Sequence, residues 1–399
     1  MWWPAGDRAR RGAGDKPARI VGVDVARALA ILGMFASHVG PNPYGGGVDT
    51  LVQGVSGRAS ALFAFLAGLS LVLMSGRTAL RGWNRANAAV VTRVVIRGAL
   101  LIPLGLWLDD LESGVLVILA FYGLYFLLVW PALWLRTRTL AIVAAASALV
   151  GPVLSFMLRK SGGTGDIRYA VPGFSDWNGP GDLFETLFLT GSYPAITWLP
   201  FVLAGMAVGR LRLEDLRVQR AFVGIGTGLA VLGYGGSWVV VNVFTGDRLA
   251  REAGPVGVHD AAHSRIGSVS VSDPAWLTIA EGHTGTPFEI VGATGVALAI
   301  LGLTLLACRP WLGRIVLDPL ISVGAMALTV YTAHLWAIHK WFPLTPQSHT
   351  WSRLIGFFVS ALLLSWIWRH TLRKGPMEAG LHLLSALPAR VVRGAARPR

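Results

Sequence analysis

The chain is 399 residues long, 53% hydrophobic and only 14% charged, whereas a water-soluble domain carries roughly 25% charged residues. That balance excludes an ordinary soluble enzyme and predicts an all-α integral membrane protein; the 49 glycines and 16 tryptophans suit closely packed helices with indoles at the interfaces. A net charge of +14 would fit nucleic acid in a soluble protein, but in a membrane protein the excess arginine belongs to cytoplasmic loops, so no nucleic-acid partner is expected. Cys308 is the one cysteine, which rules out an intrachain disulfide and any zinc site built on several thiolates.

About ten hydrophobic runs of roughly 20 residues, each enough to cross a bilayer core, recur along the chain. They begin near Ile20, Ser60, Ala88, Val115, Leu140, Tyr193, Ala221, Phe288, Ile321 and Ser352. Ahead of them, the basic segment 1–19 with Arg8, Arg10, Arg11, Lys16 and Arg19 predicts a cytoplasmic N-terminus. Asp24 and Arg27 interrupt the first run and no clean small-residue cleavage site follows, so it reads as a retained helix and not as a signal peptide. Threading the spans from there puts the basic loops around Arg77/Arg81/Arg85, Arg136/Arg138, Arg210/Arg212/Arg217/Arg220 and Arg309/Arg314 inside. Outside fall the stretch 40–56, the acidic turn Asp109/Asp110/Glu112, and two long segments, 159–192 and 244–287, able to cover an outer site. The tail 372–399 is basic and cytoplasmic, and Leu381, Leu384 and Leu387 suit an interfacial helix on anionic lipid. The expected architecture is a transmembrane domain of about ten helices over 20–371, multi-pass in the plasma membrane, with both termini cytoplasmic.

The first span carries three ionisable residues, Asp24, Arg27 and His38. At 100° per residue, Arg27 and His38 return to within about 20° of each other and Asp24 lies about 40° from His38, so all three share one stripe. Charges at membrane depth normally face a bundle interior or a wet cavity, so the stripe implies a polar track; the alternative is an Asp24–Arg27 pair that only neutralises itself, with His38 wetting the interface. On the third span Arg93 and Arg97, four apart, stack on one face near the basic side, where guanidinium groups suit phosphates or else snorkel to headgroups. Arg58 and Ser60 open the second span across a short loop from His38. Among the remaining histidines, His283 at the entry to the eighth span and His334, with Tyr331, inside the ninth are candidates to line the same cavity. His259 and His263 lack the glutamate of a zinc helix signature, so no metal is expected.

The order Arg19, Asp24-Val-Ala-Arg27, then His38 eleven residues on, resembles the opening of the transmembrane acyltransferase superfamily, in which acyltransferase-three members use a helix-one histidine. The texture Val-Asp24-Val-Ala-Arg27-Ala-Leu-Ala-Ile, followed by Ser60-Ala-Leu-Phe-Ala-Phe-Leu-Ala-Gly68, resembles the heparan-α-glucosaminide N-acetyltransferase-like branch more closely. That branch places its key histidine in the loop after the first helix; the stretch 40–56 has none, which leaves His38. Arg93-x-x-x-Arg97, Phe121-Tyr122-Gly123, Leu189-Thr-Gly-Ser-Tyr193-Pro194 and the run from Ala325 to His334 extend the likeness over most of the chain. The resemblance implies a membrane acyltransferase that moves an acyl group, acetyl above all, from cytosolic acyl-CoA to a hydroxyl or amine of an envelope glycan or glycolipid. His38 and Asp24 would then serve the chemistry, Arg27, Arg93 and Arg97 the donor phosphates, and Arg58, Ser60, His283, Tyr331 and His334 the acceptor. Membrane lipid is a partner, and a homo-oligomer is compatible with the sequence. A transporter or flippase, or a non-catalytic lipid or glycan sensor, would also need buried charges and a cavity.

Overall fold

The computed structural model describes residues 19–41, 49–163, 171–263, 266–345 and 348–394. Most of the basic N-terminal segment, the extreme C-terminus and parts of the stretches 40–56 and 159–192 fall outside the described residues, as does the side chain of His263. The described residues form helices joined by turns, with no strand among them.

In chain order the principal helices are α1 (Val21–Val39), α2 (Arg58–Ser75), α3 (Arg85–Asp109), α4 (Leu119–Val129), α5 (Thr137–Gly162), α6 (Ala195–Gly209), α7 (Leu216–Val256), α8 (Pro287–Ala307), α9 (Asp318–Ala325), α10 (Ala327–Trp341), α11 (Trp351–Leu372) and α12 (Pro376–Arg393). Seven of these, α1, α2, α3, α5, α7, α8 and α11, are long and apolar enough to cross a bilayer. Two bent pairs meet the same test when each is taken together: Pro180–Thr190 with α6, bent by 65°, and α9 with α10, bent by 82°, which raises the number to nine. The remaining expected run, from Val115, is the shorter apolar helix Leu119–Trp134.

One expected loop differs. Phe244 was to open a long outer segment, but α7 continues through Gly246–Ala253, where its α-helical part stops as Gly254 takes φ +59°, and a last 3₁₀ turn carries it to Val256. The reason is local: Arg248-Leu-Ala-Arg-Glu-Ala253 is made of good helix formers, with Leu249 buried on one face. Two π turns, Val231–Gly235 and Val241–Thr245, interrupt the helix on the way. Beyond it, the described residues of 257–286 hold only short helical turns.

Small residues set the helix spacing, as they must where lipid supplies no hydrophobic push between helices. A Cβ at Gly68 would overlap the Val202 carbonyl, and one at Gly205 the Phe65 carbonyl, so α2 and α6 cross backbone to backbone. Gly324 of α9 sits equally close to the Asp24 carbonyl of α1. By contrast α11 lies at the periphery on α9 and α1, with only Leu354 and Ser365 buried.

The basic loops converge on one end of the bundle. Arg77 pairs with Glu214 at 3.0 Å, Arg210 donates to the Leu133 carbonyl at 2.9 Å and to that of Leu135, and Arg309 donates to the Glu214 carbonyl at 3.0 Å. The opposite end, where α1 and α3 finish and α2 begins, holds a polar cavity.

Candidate active site

The cavity has a volume of about 840 Å³ and is walled by the ends of α1, α2 and α3 and by connecting segments between helices. Ser37, His38 and Ser60 enter from the first two helices, Asp109 and Glu112 from the end of α3, and Tyr193, His283 and His349 from the loops. The cavity thus gathers three imidazoles, His38, His283 and His349, with the carboxylates of Asp109 and Glu112, side chains of the kinds used in acid–base chemistry on a hydroxyl or amine.

His38 is half-buried in the last turn of α1, and its Nδ1 lies 3.1 Å from Nε2 of His334 on α10. His334 is fixed in turn: its ring packs on Phe35 at 4.5 Å and edge-on to Tyr331 at 5.2 Å. Tyr331 is itself held, its hydroxyl accepting from the Ile118 amide at 3.3 Å. The expected residues His38, Ser60, His283, His334 and Tyr331 are thus brought together, the last two as a layer behind the cavity wall.

His283 reaches the cavity from a strained position, φ +66°, a conformation that costs a non-glycine residue on the order of 1–3 kcal/mol. Its ring stands against Tyr193 at 5.4 Å and Trp198 at 5.9 Å, and its carbonyl accepts from the Gly267 amide at 2.7 Å. The buried Glu289 carboxylate takes backbone hydrogen bonds from His283 and Gly285, while Thr286 caps α8 by accepting from the Glu289 amide at 3.2 Å. Arg58 stands beside this turn, donating to the Tyr234 hydroxyl at 3.1 Å with its guanidinium 4.6 Å from that ring's centre.

The acidic turn also ties down the roof. Asp110 accepts from the Phe174 and Ser175 amides at 3.0 and 3.1 Å and from the Ser175 hydroxyl at 2.9 Å. Against a desolvation cost that acts upward, these hydrogen bonds hold its carboxyl below the ordinary carboxylate range.

Asp24 and Arg27 lie elsewhere. Asp24 is fourteen residues, about 21 Å, down α1 from His38. Its carboxylate is taken by Arg19 at 2.5 Å and Arg27 at 2.8 Å, and Arg27 also donates to Ser70 at 2.6 Å. Arg93 and Arg97 do not join them. Arg97 faces Ser385 of α12 at 3.4 Å, and Arg93 with Arg390 and Arg393 lines a separate pocket of about 280 Å³, where Arg93 Nε is buried without a partner among the described residues. That orphaned donor between two further guanidinium groups fits a phosphate. Elsewhere, His259 pairs with Glu281 at 3.2 Å.

Sequence reasoning passed over Asp109 and Glu112 as site residues, having placed them only in an outer loop, and did not single out His349. The missed signal was position: two acids directly at the end of an apolar span that faces the His38 end of α1. His349 is brought in by its Nδ1 contact with the Gly40 carbonyl at 3.2 Å. Glu289 carried a signal that was legible, the Thr286-x-x-Glu289 pattern of a capped helix start.

A bundle of apolar helices with charged loops at one end and an imidazole-lined polar cavity at the other defines a multi-pass membrane protein with a polar site. Residues 19–234, more than half of the chain, match the family described as heparan-alpha-glucosaminide N-acetyltransferase, catalytic, and the chain belongs to that family. Residues 262–387 match a second family, described as a protein of unknown function. No curated protein matches the chain.

Proposed function

We propose that this protein moves an acetyl group from acyl-CoA on the cytosolic side to a hydroxyl or amine of an envelope glycan or glycolipid at the His38 cavity, from a plasma-membrane location with both termini cytoplasmic. The observation that carries the reading is the His38–His334 pair on the wall of a polar cavity, within a chain of an acetyltransferase family. In this reading His38 Nδ1–H donates to Nε2 of His334 across the 3.1 Å contact, and His38 Nε2 presents a lone pair to the cavity.

His38 Nε2 takes the proton of the acceptor hydroxyl or amine as its oxygen or nitrogen bonds to the acyl carbon. The proton then leaves His38 for the sulfur whose bond to that carbon breaks, so no net charge remains on the imidazole. Asp109 and Glu112 hold acceptor hydroxyls, and Ser60, Arg58 and His283 close the far wall around it. Arg93 and Arg97, with Arg390 and Arg393, receive the donor phosphates, and an acyl-CoA bound there would supply the acyl group. Asp24 serves by holding Arg27 and the first turns of α1 in register. Acetyl transfer from radiolabelled acetyl-CoA by purified protein in nanodiscs tests the reading: turnover in wild type and its loss in His38→Gln support it, and equal turnover in both removes His38 as catalyst.

A further inference from the structure

A second cavity opens along α10 and α11. It is a groove of about 730 Å³ running from Phe342 and Arg353 to Trp368, with Phe357 and Ala361 on its floor. Measured along α11 from Ser352 to Trp368 it is about 24 Å long, most of the roughly 30 Å hydrocarbon thickness of a bilayer. Its wall is apolar or hydroxyl-bearing apart from His334 and Arg353. Phe35 excepted, every wall residue lies in the stretch that matches the family of unknown function.

Two observations say what such a groove would hold. Arg353 marks one end with a positive charge: its guanidinium stands 5.9 Å from the centre of the Phe342 ring, and among the described residues its Nη atoms reach only the Pro343 and Ser348 carbonyls at 3.4–3.5 Å, its buried Nε has no partner and no carboxylate pairs with it. That end is the cavity end of the bundle, since Leu344, Thr345 and His349, which line the polar cavity, immediately precede it in the chain. The groove also touches the site directly, because His334 forms part of its wall while bonding His38 on the cavity side. An apolar trough with one cationic end beside a polar chamber is complementary to an amphiphile with a hydrocarbon tail, a phosphate and a polar head. The acyl chain of a coenzyme A donor does not fit, because it would bring no phosphate to Arg353; the donor's own phosphates face Arg93, at the other end of the bundle.

We propose that the groove between α10 and α11 seats the lipid anchor of the acceptor, so that the acceptor is a saccharide carried on a phosphate-linked hydrocarbon chain. The tail lies over Phe357 and Ala361, the phosphate meets Arg353, and the saccharide enters the His38 cavity. This rests on the acyl-transfer reading for the role of the saccharide, but not for the binding of the chain.

The test uses the full chain in phosphatidylcholine nanodiscs with a photoreactive long-chain polyprenyl phosphate and the matching uncharged polyprenol. Both probes should label peptides of α10 and α11. Arg353→Gln should cut labelling by the phosphate probe at least about tenfold and leave the alcohol within about twofold. Gly356→Trp should block both probes; a side chain at Gly356 projects into open space, so the fold should tolerate it, and Ser360→Phe provides a second obstruction at an exposed position. With radiolabelled acetyl-CoA, Gly356→Trp should raise KM about tenfold or more for a polyprenyl-phosphate-linked saccharide and leave a water-soluble saccharide unaffected. Labelling outside the groove, equal competition by phosphatidylglycerol, or a KM change shared by both acceptors would overturn the proposal. The expected labelling pattern in a protein that transfers acetyl to neither acceptor would uphold the groove and refute the acyl-transfer reading instead.

Discussion

The His38–His334 pair makes unequal demands on its two members, and the inequality can be measured. His38→Gln keeps a hydrogen-bonding side chain but removes the group that takes the acceptor proton, a role worth at least about 10² in rate, or roughly 2.7 kcal/mol of barrier. His334→Phe keeps a ring against Phe35 and Tyr331 and removes only the 3.1 Å acceptor of His38 Nδ1–H. A neutral hydrogen bond of that kind contributes about 1 kcal/mol, so losing the preferred tautomer and ring orientation should cost about fivefold in kcat/KM. Because His334 acts through His38, the double variant should be no slower than His38→Gln alone. The assay is kcat/KM for acetyl transfer by all four proteins, with thermal unfolding as control. Losses that multiply in the double variant, or a His334→Phe loss as large as that of His38→Gln at unchanged stability, would refute the division of roles.

Other outcomes follow from residues away from the pair. Asp24→Asn leaves Arg27, and Arg19 beside it, without their carboxylate; it should lower stability by about 3 kcal/mol, seen as a drop in Tm, while donor binding by the protein that stays folded is unchanged. Arg93→Gln should weaken coenzyme A binding by about 1.5–3 kcal/mol in calorimetry, the scale of a charged hydrogen bond to phosphate. Asp110→Ala should free the segment around Ser175, read as faster amide exchange at residues 174–175. The same tie carries a pH dependence: because the folded carboxyl titrates below its ordinary value of 3.8, its contribution is complete at neutral pH and disappears as pH falls through the depressed folded value. Amide protection of that segment in wild type should therefore hold at pH 7 and fade only in strong acid.

Helical periodicity was enough to put Asp24, Arg27 and His38 on one stripe of α1, and an ion pair at one end and an imidazole at the other are what the structure has. Azimuth says nothing of depth, however. About 21 Å separates Asp24 from His38, which is why they shared a stripe without sharing a site. The partner of His38 is 296 residues away in sequence; a histidine inside the ninth run was legible as a cavity candidate, but no local pattern fixes which ring nitrogen it meets. Span lengths were read from apolar runs alone, and that reading does not see bends. The run from Tyr193 is preceded by a second helix, Pro180–Thr190, broken off at Gly191 and Pro194, and the run from Ile321 folds sharply at Met326. Arg27 was grouped with Arg93 and Arg97 because all three approach the basic side, yet contact with Ser70 draws the first inward while α12 takes the other two.

The hydrogen bond between His38 and His334 also bears on how this polypeptide can be divided. His38 belongs to the stretch matched by the acetyltransferase family and His334 to the stretch matched by the family of unknown function, and the first match ends at residue 234, in the first π turn of helix α7. The two matched stretches are therefore not exchangeable cassettes. A chimera joined at that boundary would graft one imidazole onto a foreign partner and splice a helix mid-turn, whereas fragments separated in the loop before α8 could regain the site only by reassembling across the α7–α8, α3–α12 and α1–α9 crossings together.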